Sequence, residues 1–387
     1  MTVSTGLSGL TTMVAITHPA SPFVSPTYWV DGGTEMASGN SFEGPGERSQ
    51  FPEAPQSSPS ANVTWPDFGS PRLNTQLRNY WRYVKTLGQP DVLIVGSSRA
   101  LQGIDPHVLS HELSRQGHGK LRVYNFGING ATAQVVTWLL VELLGRDRLP
   151  PLILWANGSR AFNNGRPDRT FASIANSPGY QQLRQGWRPP WSPIQIPSRA
   201  IAPLSIFPPV ELSVEGVLRR DRPGSLRAIR QSRQFGQLEQ SDLTFNGFLR
   251  DEQQFHPPSY YKKFPKVAGE FDSSYVPFQL WDGLQQQSIY TLTQHLIQHS
   301  DAPKLVLINL PLSSDFLDDA RRDYEQQFRQ FMGTQQRQTP WLLRDYLDLW
   351  PTQNHYFSDP SHINFWGAAT LSRHLAGDPN IPWPQSR

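Results

Sequence analysis

Asp91-Val-Leu-Ile-Val-Gly96-Ser97-Ser98-Arg99 is an aliphatic, β-branched run that stops at a glycine and two serines. A short run that is apolar at every position reads as a strand buried on both faces, hence a central strand of a parallel sheet. In open α/β sheets, ligands bind just beyond the carboxyl ends of the strands. Ser97 and Ser98 therefore stand where chemistry is expected.

Outward from that strand the chain alternates strand and helix. Residues 73–87 read as a helix with Leu77, Tyr80, Trp81 and Val84 near one face. Asp105-Pro106 is a helix start, an N-cap followed by Pro at the first position, and Gly117 suits the C-terminal cap. A second strand over 121–126 ends in Gly127-Ile-Asn-Gly130, and an apolar helix follows over about 132–144. Pro150-Pro151 breaks that helix before a third strand, 152–156, which ends in Asn157-Gly158-Ser159. Three such units in order imply a right-handed, doubly wound parallel sheet in a three-layer α/β domain. The alternation lapses over 159–280, a Pro-, Arg- and Gln-rich insertion expected to lie like a lid over the carboxyl edge of the sheet. It resumes with a helix at 284–299, a strand at 304–310, a helix at 315–332, a short strand within 341–349 and a closing helix at 363–376.

Composition narrows the function class. The 387 residues include no cysteine, which excludes disulfides, thiolate metal sites and cysteine nucleophiles. Net charge is +3, too mild to argue for nucleic acid. Residues 1–65 carry net −4, leaving +7 for the rest. Mean hydropathy is −0.49, and no stretch approaches the ~18 apolar residues of a membrane span. The N-terminus lacks the basic region and apolar core of a signal peptide. The expectation is a cytoplasmic protein, or an envelope protein if the true start lies upstream. Residues 1–70 are rich in Ser, Thr, Pro, Gly and Ala without a sustained period and read as a disordered tail before a domain at 71–387.

A serine hydroxyl attacks only when a base takes its proton and a third group orients that base. Of ten histidines, only His362 sits in a compact Asp-x-x-His, Asp359-Pro-Ser-His362. Pro360 biases Asp359 away from helical geometry, which places the pair on a loop. The alternative is that Asp359 caps the closing helix, with His362 in its first turn. Acyl transfer also needs hydrogen-bond donors for the developing oxyanion. Gly130 and Asn157, at the next two strand ends, are candidates, although a glycine or asparagine there commonly serves the turn alone.

Taken together, these blocks resemble the SGNH (GDSL-type) hydrolase superfamily, over roughly 90–157 and 285–376. Its Gly-Asp-Ser block is similar to Gly96-Ser97-Ser98, and its Asn-x-Gly-x-x-Gly block to Asn125-Phe-Gly127-Ile-Asn-Gly130. Its Gly-x-Asn-Asp block is similar to Trp155-Ala-Asn157-Gly158, and its last block to Asp359-Pro-Ser-His362 followed by Asn364 and Gly367-Ala368. The resemblance implies a flavodoxin-like sheet and a triad of Ser98, His362 and Asp359. It also implies an oxyanion hole from the Ser98 and Gly130 N–H groups and the Asn157 side chain. No metal or organic cofactor is implied.

Two departures stand out: Ser97 replaces the Asp of the first block, and Gly158 that of the third. Gly-Ser-Ser resembles members that handle acyl groups on cell-wall or exopolysaccharide polymers. It leaves Ser97 as a rival nucleophile. The expected substrate is a small-molecule or polysaccharide ester, hydrolysed or used for acyl transfer. The competing reading is a catalytically silent carbohydrate-binding or scaffold protein. Arg99 either meets an anionic substrate group, pairs with a neighbouring strand end, or is an ordinary helix-start residue.

Other signals are weaker. His107/His111 and His295/His299 are spaced four apart but lack an adjacent Glu or a third ligand, so they read as solvated helix faces rather than metal sites. Neither a dinucleotide fingerprint nor a P-loop is present. Arginines from Arg184 to Arg233, interleaved with Trp187 and Trp191, read either as a groove for a polyanionic or carbohydrate chain or as a solvated lid pinned by its aromatics. Oligomeric state is not legible.

Overall fold

The computed structural model describes residues 64–191, 243–297, 303–337, 339 and 341–386. The expectations for 1–63 and for the Arg199–Arg233 run therefore lie outside the described residues. Every element below belongs to one unit, Ala61–Arg387. In chain order these are α1 (Pro71–Leu87), β1 (Val92–Gly96), α2 (Ser98–Gly103), α3 (Pro106–Arg115) and β2 (Val123–Gly127). Next come α4 (Ala133–Trp138, continuing as a π-helical turn to Leu144), β3 (Leu152–Asn157), α5 (Arg169–Ala175), α6 (Pro178–Arg184), α7 (Pro257–Lys263) and α8 (Leu284–Ile297). The chain closes with β4 (Lys304–Asn309), α9 (Asp319–Gln336), β5 (Leu342–Asp345), β6 (Phe357–Asp359), β7 (His362–Ile363) and α10 (Phe365–Ala376).

Five strands form a parallel sheet in the order β2-β1-β3-β4-β5. Alternate residues feed two cores, because successive strand side chains point to opposite faces. Leu93, Val95, Ile153, Trp155, Leu305 and Leu307 pack with Tyr80 of α1, Val136 of α4, Leu292 of α8 and Phe328 of α9. Val92, Ile94, Leu152, Leu154, Val306 and Ile308 pack with Leu109 of α3 and Leu371 of α10. The fold is thus α/β, with helices on both faces of the sheet. The reversal of strand order lies between β1 and β3, which opens a crevice at their carboxyl ends.

The edge strand β2 is fully buried, whereas edge strand β5 is only partly so. Unpaired edges expose backbone donors and acceptors, and here side-chain and strap contacts engage those of β2. Gln76 Nε2 lies within 3.1 Å of the carbonyls of Asn125, Gly127 and Gly247. The Asn125 N–H donates to Asn246 O at 2.9 Å. The strap continues: the Leu249 N–H donates to Leu101 O at the far end of α2 (3.1 Å), and the Phe255 N–H to Phe357 O of β6 (2.7 Å). The described return limb of the insertion therefore braces the side of the sheet rather than only covering its carboxyl edge.

The other limb also packs inward. Trp187 lies edge-on to Trp65 and tilted against Phe68, and Trp191 lies edge-on to Tyr80 of α1. These two tryptophans pack against the core, which agrees with the reading of a segment pinned by its aromatics. Phe68, placed in the tail from composition, is fully buried in the same cluster, so ordered packing begins before α1. Among the described residues, no helix is long and apolar enough to cross a membrane.

Gly96, the last residue of β1, has φ +144°, a conformation that L side chains rarely adopt. A Cβ there would lie 1.9 Å from the Ala156 carbonyl oxygen and 2.9 Å from Ala100 Cβ. Both obstacles belong to the buried framework. Gly96→Ala is expected to lose about 3 kcal/mol or more of stability, the sum of strain and overpacking, read as a lower urea midpoint at unchanged slope.

Candidate active site

Beyond Gly96 the chain turns into α2 with Ser97 as its N-cap. The Ser97 hydroxyl accepts from the Arg99 N–H at 3.3 Å, and the residue is 8% exposed. Ser98 is the first residue of α2, so its N–H finds no partner within the helix. Its hydroxyl lies 2.8 Å from His362 Nε2. The histidine thus meets Ser98, the expected nucleophile, while the rival Ser97 is engaged as a helix cap.

Asp359 and His362 are cross-strand partners in the small antiparallel pair of β6 and β7, with Pro360 and Ser361 as the turn between them. His362 Nδ1 lies 2.8 Å from Asp359 Oδ2. The other carboxylate oxygen accepts from the N–H groups of Ser361 (2.7 Å) and His362 (2.9 Å) and from the Ser361 hydroxyl (3.1 Å). The helix cap is Asn364, whose Oδ1 accepts from the Gly367 N–H at 3.0 Å and whose Nδ2 donates to the carbonyls of Gln253, His355 and Phe357. That frees Asp359 to orient the ring.

Burial by itself raises the Asp359 carboxyl, but the His362 charge and hydrogen bond, with those from Ser361, outweigh it and bring the value down to about 2. At neutral pH Asp359 is therefore a carboxylate and only accepts hydrogen bonds. His362 Nδ1–H then donates to it, and Nε2 is left to accept the Ser98 proton.

Asn157 ends β3 one strand away and is 1% exposed. Its Oδ1 accepts from the Ser97 N–H at 3.3 Å, while its Nδ2 is buried without a hydrogen-bond partner. An orphaned buried donor calls for an acceptor, and this one sits beside the nucleophile turn. Gly130 is placed differently. It lies on an exposed turn with φ +71°, where a Cβ would meet Thr170 Oγ1 at 2.6 Å. Among the described residues, no hydrogen bond links Gly130 to Ser98, His362 or Asp359.

Arg99 is buried and spans the strand ends. Its Nη2 donates to the carbonyls of Leu310 (2.5 Å) and Pro311 (3.1 Å), just past β4. A Cβ on Gly158 would lie 1.9 Å from Arg99 Nη1. The space that a side chain at position 158 would need is filled by this guanidinium. Of the three readings of Arg99, the structure supports the tie to a neighbouring strand end, made to carbonyls rather than to a carboxylate. Burial holds Arg99 below its ordinary value, against the opposing pull of Glu325 and Tyr275.

Glu325, beneath these strand ends, was not singled out from sequence. It is 1% exposed, accepts from Ser159 Oγ at 2.6 Å and lies 3.5 Å from Asn309 Nδ2. Burial raises its carboxyl, countered by Arg99 and by the hydrogen bonds from Ser159 and Asn309. The signal was available in α9, where Arg321, Glu325, Phe328 and Met332 are all buried and share one face at helical spacing. Charged residues on a buried stripe shared with Phe328 and Met332 mark a buried polar centre.

Among the described residues, no group of three or more His, Asp or Glu side chains is arranged to hold a metal ion. Compared with known proteins, the chain matches no protein-family model and no curated protein.

Two outcomes follow from this geometry. Asp359, held below the ordinary ~3.9 of a carboxylate, contributes stability that is complete above about pH 4 and is lost as pH falls toward about 2. Asp359→Asn should therefore lower the melting temperature at pH 7, with a deficit that narrows over that acid range. A constant deficit would contradict the assignment. Gly158→Ala should destabilise the fold by about 1–3 kcal/mol by crowding a pinned guanidinium. A double-mutant cycle with Arg99→Ala should return a coupling above about 0.5 kcal/mol.

Proposed function

We propose that the chain is a serine hydrolase or O-acyltransferase of the SGNH type, with residues 71–387 as the catalytic domain and 159–280 as an insertion within it. The observation that carries this reading is the continuous line from Ser98 Oγ through the His362 ring to Asp359 Oδ2, two hydrogen bonds of 2.8 Å each. Ser98 and the Asp359–His362 turn come from widely separated segments, and in the strand order 2-1-3-4-5 Ser98 follows the strand at the reversal point, where ligands bind in such sheets. A flavodoxin-like order is shared by many unrelated functions, so the weight rests on the site.

In this reading Ser98 Oγ attacks the carbonyl carbon of an ester as His362 Nε2 takes the hydroxyl proton. Asp359 holds the ring and stabilises the imidazolium. The oxyanion is met by the Ser98 N–H and by Asn157 Nδ2, the orphaned donor. Gly130 joins them if its turn moves toward the substrate. The tetrahedral species collapses, the C–O bond to the leaving alcohol breaks, and His362 returns the proton to the departing oxygen. Water, or a sugar hydroxyl in an acyl transfer, then gives its proton to His362 and displaces Ser98 from the acyl group. The substrate is a small-molecule or polysaccharide ester.

A fluorophosphonate probe tests this directly. Wild type should label, while Ser98→Ala and His362→Ala should not, and Ser97→Ala should retain labelling. Removal of either Ser98 or His362 should lower kcat on an activated ester by at least ~10³. Absence of labelling in folded wild type would favour the silent carbohydrate-binding or scaffold alternative.

A further inference from the structure

Arg160 and Arg166 are partly buried side chains on the segment that leaves β3. Among the described residues, neither guanidinium makes a hydrogen bond or an ion pair, and Arg166 Nε is buried with no partner. Their surroundings do not neutralise them. Arg166 is held below its ordinary value by burial and then by Arg160, with Asp168 and Tyr275 opposing. Arg160 in turn acts on Arg99, whose guanidinium lies against Gly158. The nearby carboxylates are committed elsewhere. Asp168 caps α5 through the Phe171 N–H and accepts from Thr132 Oγ1 and Gln285 Nε2, while Glu325 is bound to Ser159 and Asn309. Burying cations that lack both a counter-charge and hydrogen bonds is costly. A planar guanidinium fork suits a carboxylate or phosphate.

The backbone that carries these arginines is built, not loose. Ser159 and Phe162 face inward, to Glu325 and to the rings of Trp155 and Phe328, which leaves Arg160 on the outer side of the turn. Asn163 and Asn164 stitch the loop before Arg166 to the 275–285 segment: Asn163 Nδ2 donates to Tyr275 O (2.7 Å) and Asn164 Nδ2 to Leu280 O (3.0 Å). Past Arg166 the chain enters α5, whose Thr170 abuts Gly130. The segment that carries the pair therefore runs from the end of β3, with the orphaned Asn157 donor, to the helix beside the Gly130 turn.

We propose that Arg160 and Arg166 form an oxyanion-recognition subsite beside Ser98, which selects esters carrying a carboxylate or phosphate group. This rests on the hydrolase reading for what the anion belongs to, but not for its binding. The subsite holds the charged group while the ester carbonyl is presented to Ser98, so that substrate choice is set by charge rather than by acyl size.

The test uses full-length Ser98→Ala, which separates binding from turnover. Inorganic phosphate and glucuronate are titrated separately by calorimetry at low ionic strength. Saturable binding of at least one is expected; phosphate alone assigns a phosphoryl group, and glucuronate alone a carboxylate. Arg160→Gln and Arg166→Gln should each weaken binding at least tenfold, whereas Arg115→Gln on α3 should leave it unchanged. If a glutamine variant fails to fold, the lysine variant at that position keeps the charge, loses the fork and should still bind more weakly. Failure of both anions to bind, or undiminished affinity in folded variants, overturns the subsite. Fluorophosphonate labelling of wild type with no anion binding removes the subsite alone. Anion binding without labelling leaves the subsite standing and removes the hydrolase reading.

Discussion

Gly96 pairs with Ala156 where β1 meets β3, and the Ala156 carbonyl oxygen lies 1.9 Å from the point a Cβ would occupy. Everything at the carboxyl edge follows from that approach. It lets the chain leave β1 at φ +144° and turn at once into α2. The turn puts the Ser97 N–H on Asn157 Oδ1, which fixes the two strand ends to one another and leaves the amide's own donor free. It also sets Ser98 on the outer side of the turn, facing His362. A side chain at position 96 would have to push the Ala156 carbonyl, and β3 with it, away from β1.

The two departures from the resembling family have different physical consequences. At the first, Ser97 supplies a helix cap where the family has a carboxylate. At the second, the bare Gly158 leaves room for the Arg99 guanidinium, which satisfies carbonyls beyond β4. Glu325, buried beneath the strand ends, opposes the effect of burial on Arg99.

Much of this was legible in sequence because it is local. Aliphatic runs ended by Gly, Ser or Asn located β1, β3 and β4, and Asp105-Pro106 marked the start of α3. Asp-x-x-His brought Asp359 and His362 together because three residues suffice for a tight turn, although the turn belongs to a strand pair rather than a loop. Less legible was whatever depended on distant partners. Trp187 and Trp191 lie in Pro- and Arg-rich sequence that fits either a groove or a segment pinned by its aromatics, and their partners, Trp65 and Tyr80, lie far earlier in the chain. Phe68 stands in sequence of tail-like composition and is fully buried. Composition reports average solvation, whereas a single aromatic contact is decided by what happens to lie opposite. Glu325 escaped although helical spacing signalled its burial, because its partners, Ser159 and Asn309, lie on other segments.

The bond between Ser98 and His362 spans 264 positions. The serine is therefore made long before the histidine that it faces. Contacts of such separation form late, because the intervening chain must first be ordered. α10, which follows His362 directly, packs on α2 and α3, so a helix made after His362 holds the helices that flank Ser98. Until the Asp359–His362 turn has been made, the Ser98 hydroxyl has no ring nitrogen to face. The same closing contact thus brings the histidine to the serine and seals one face of the sheet.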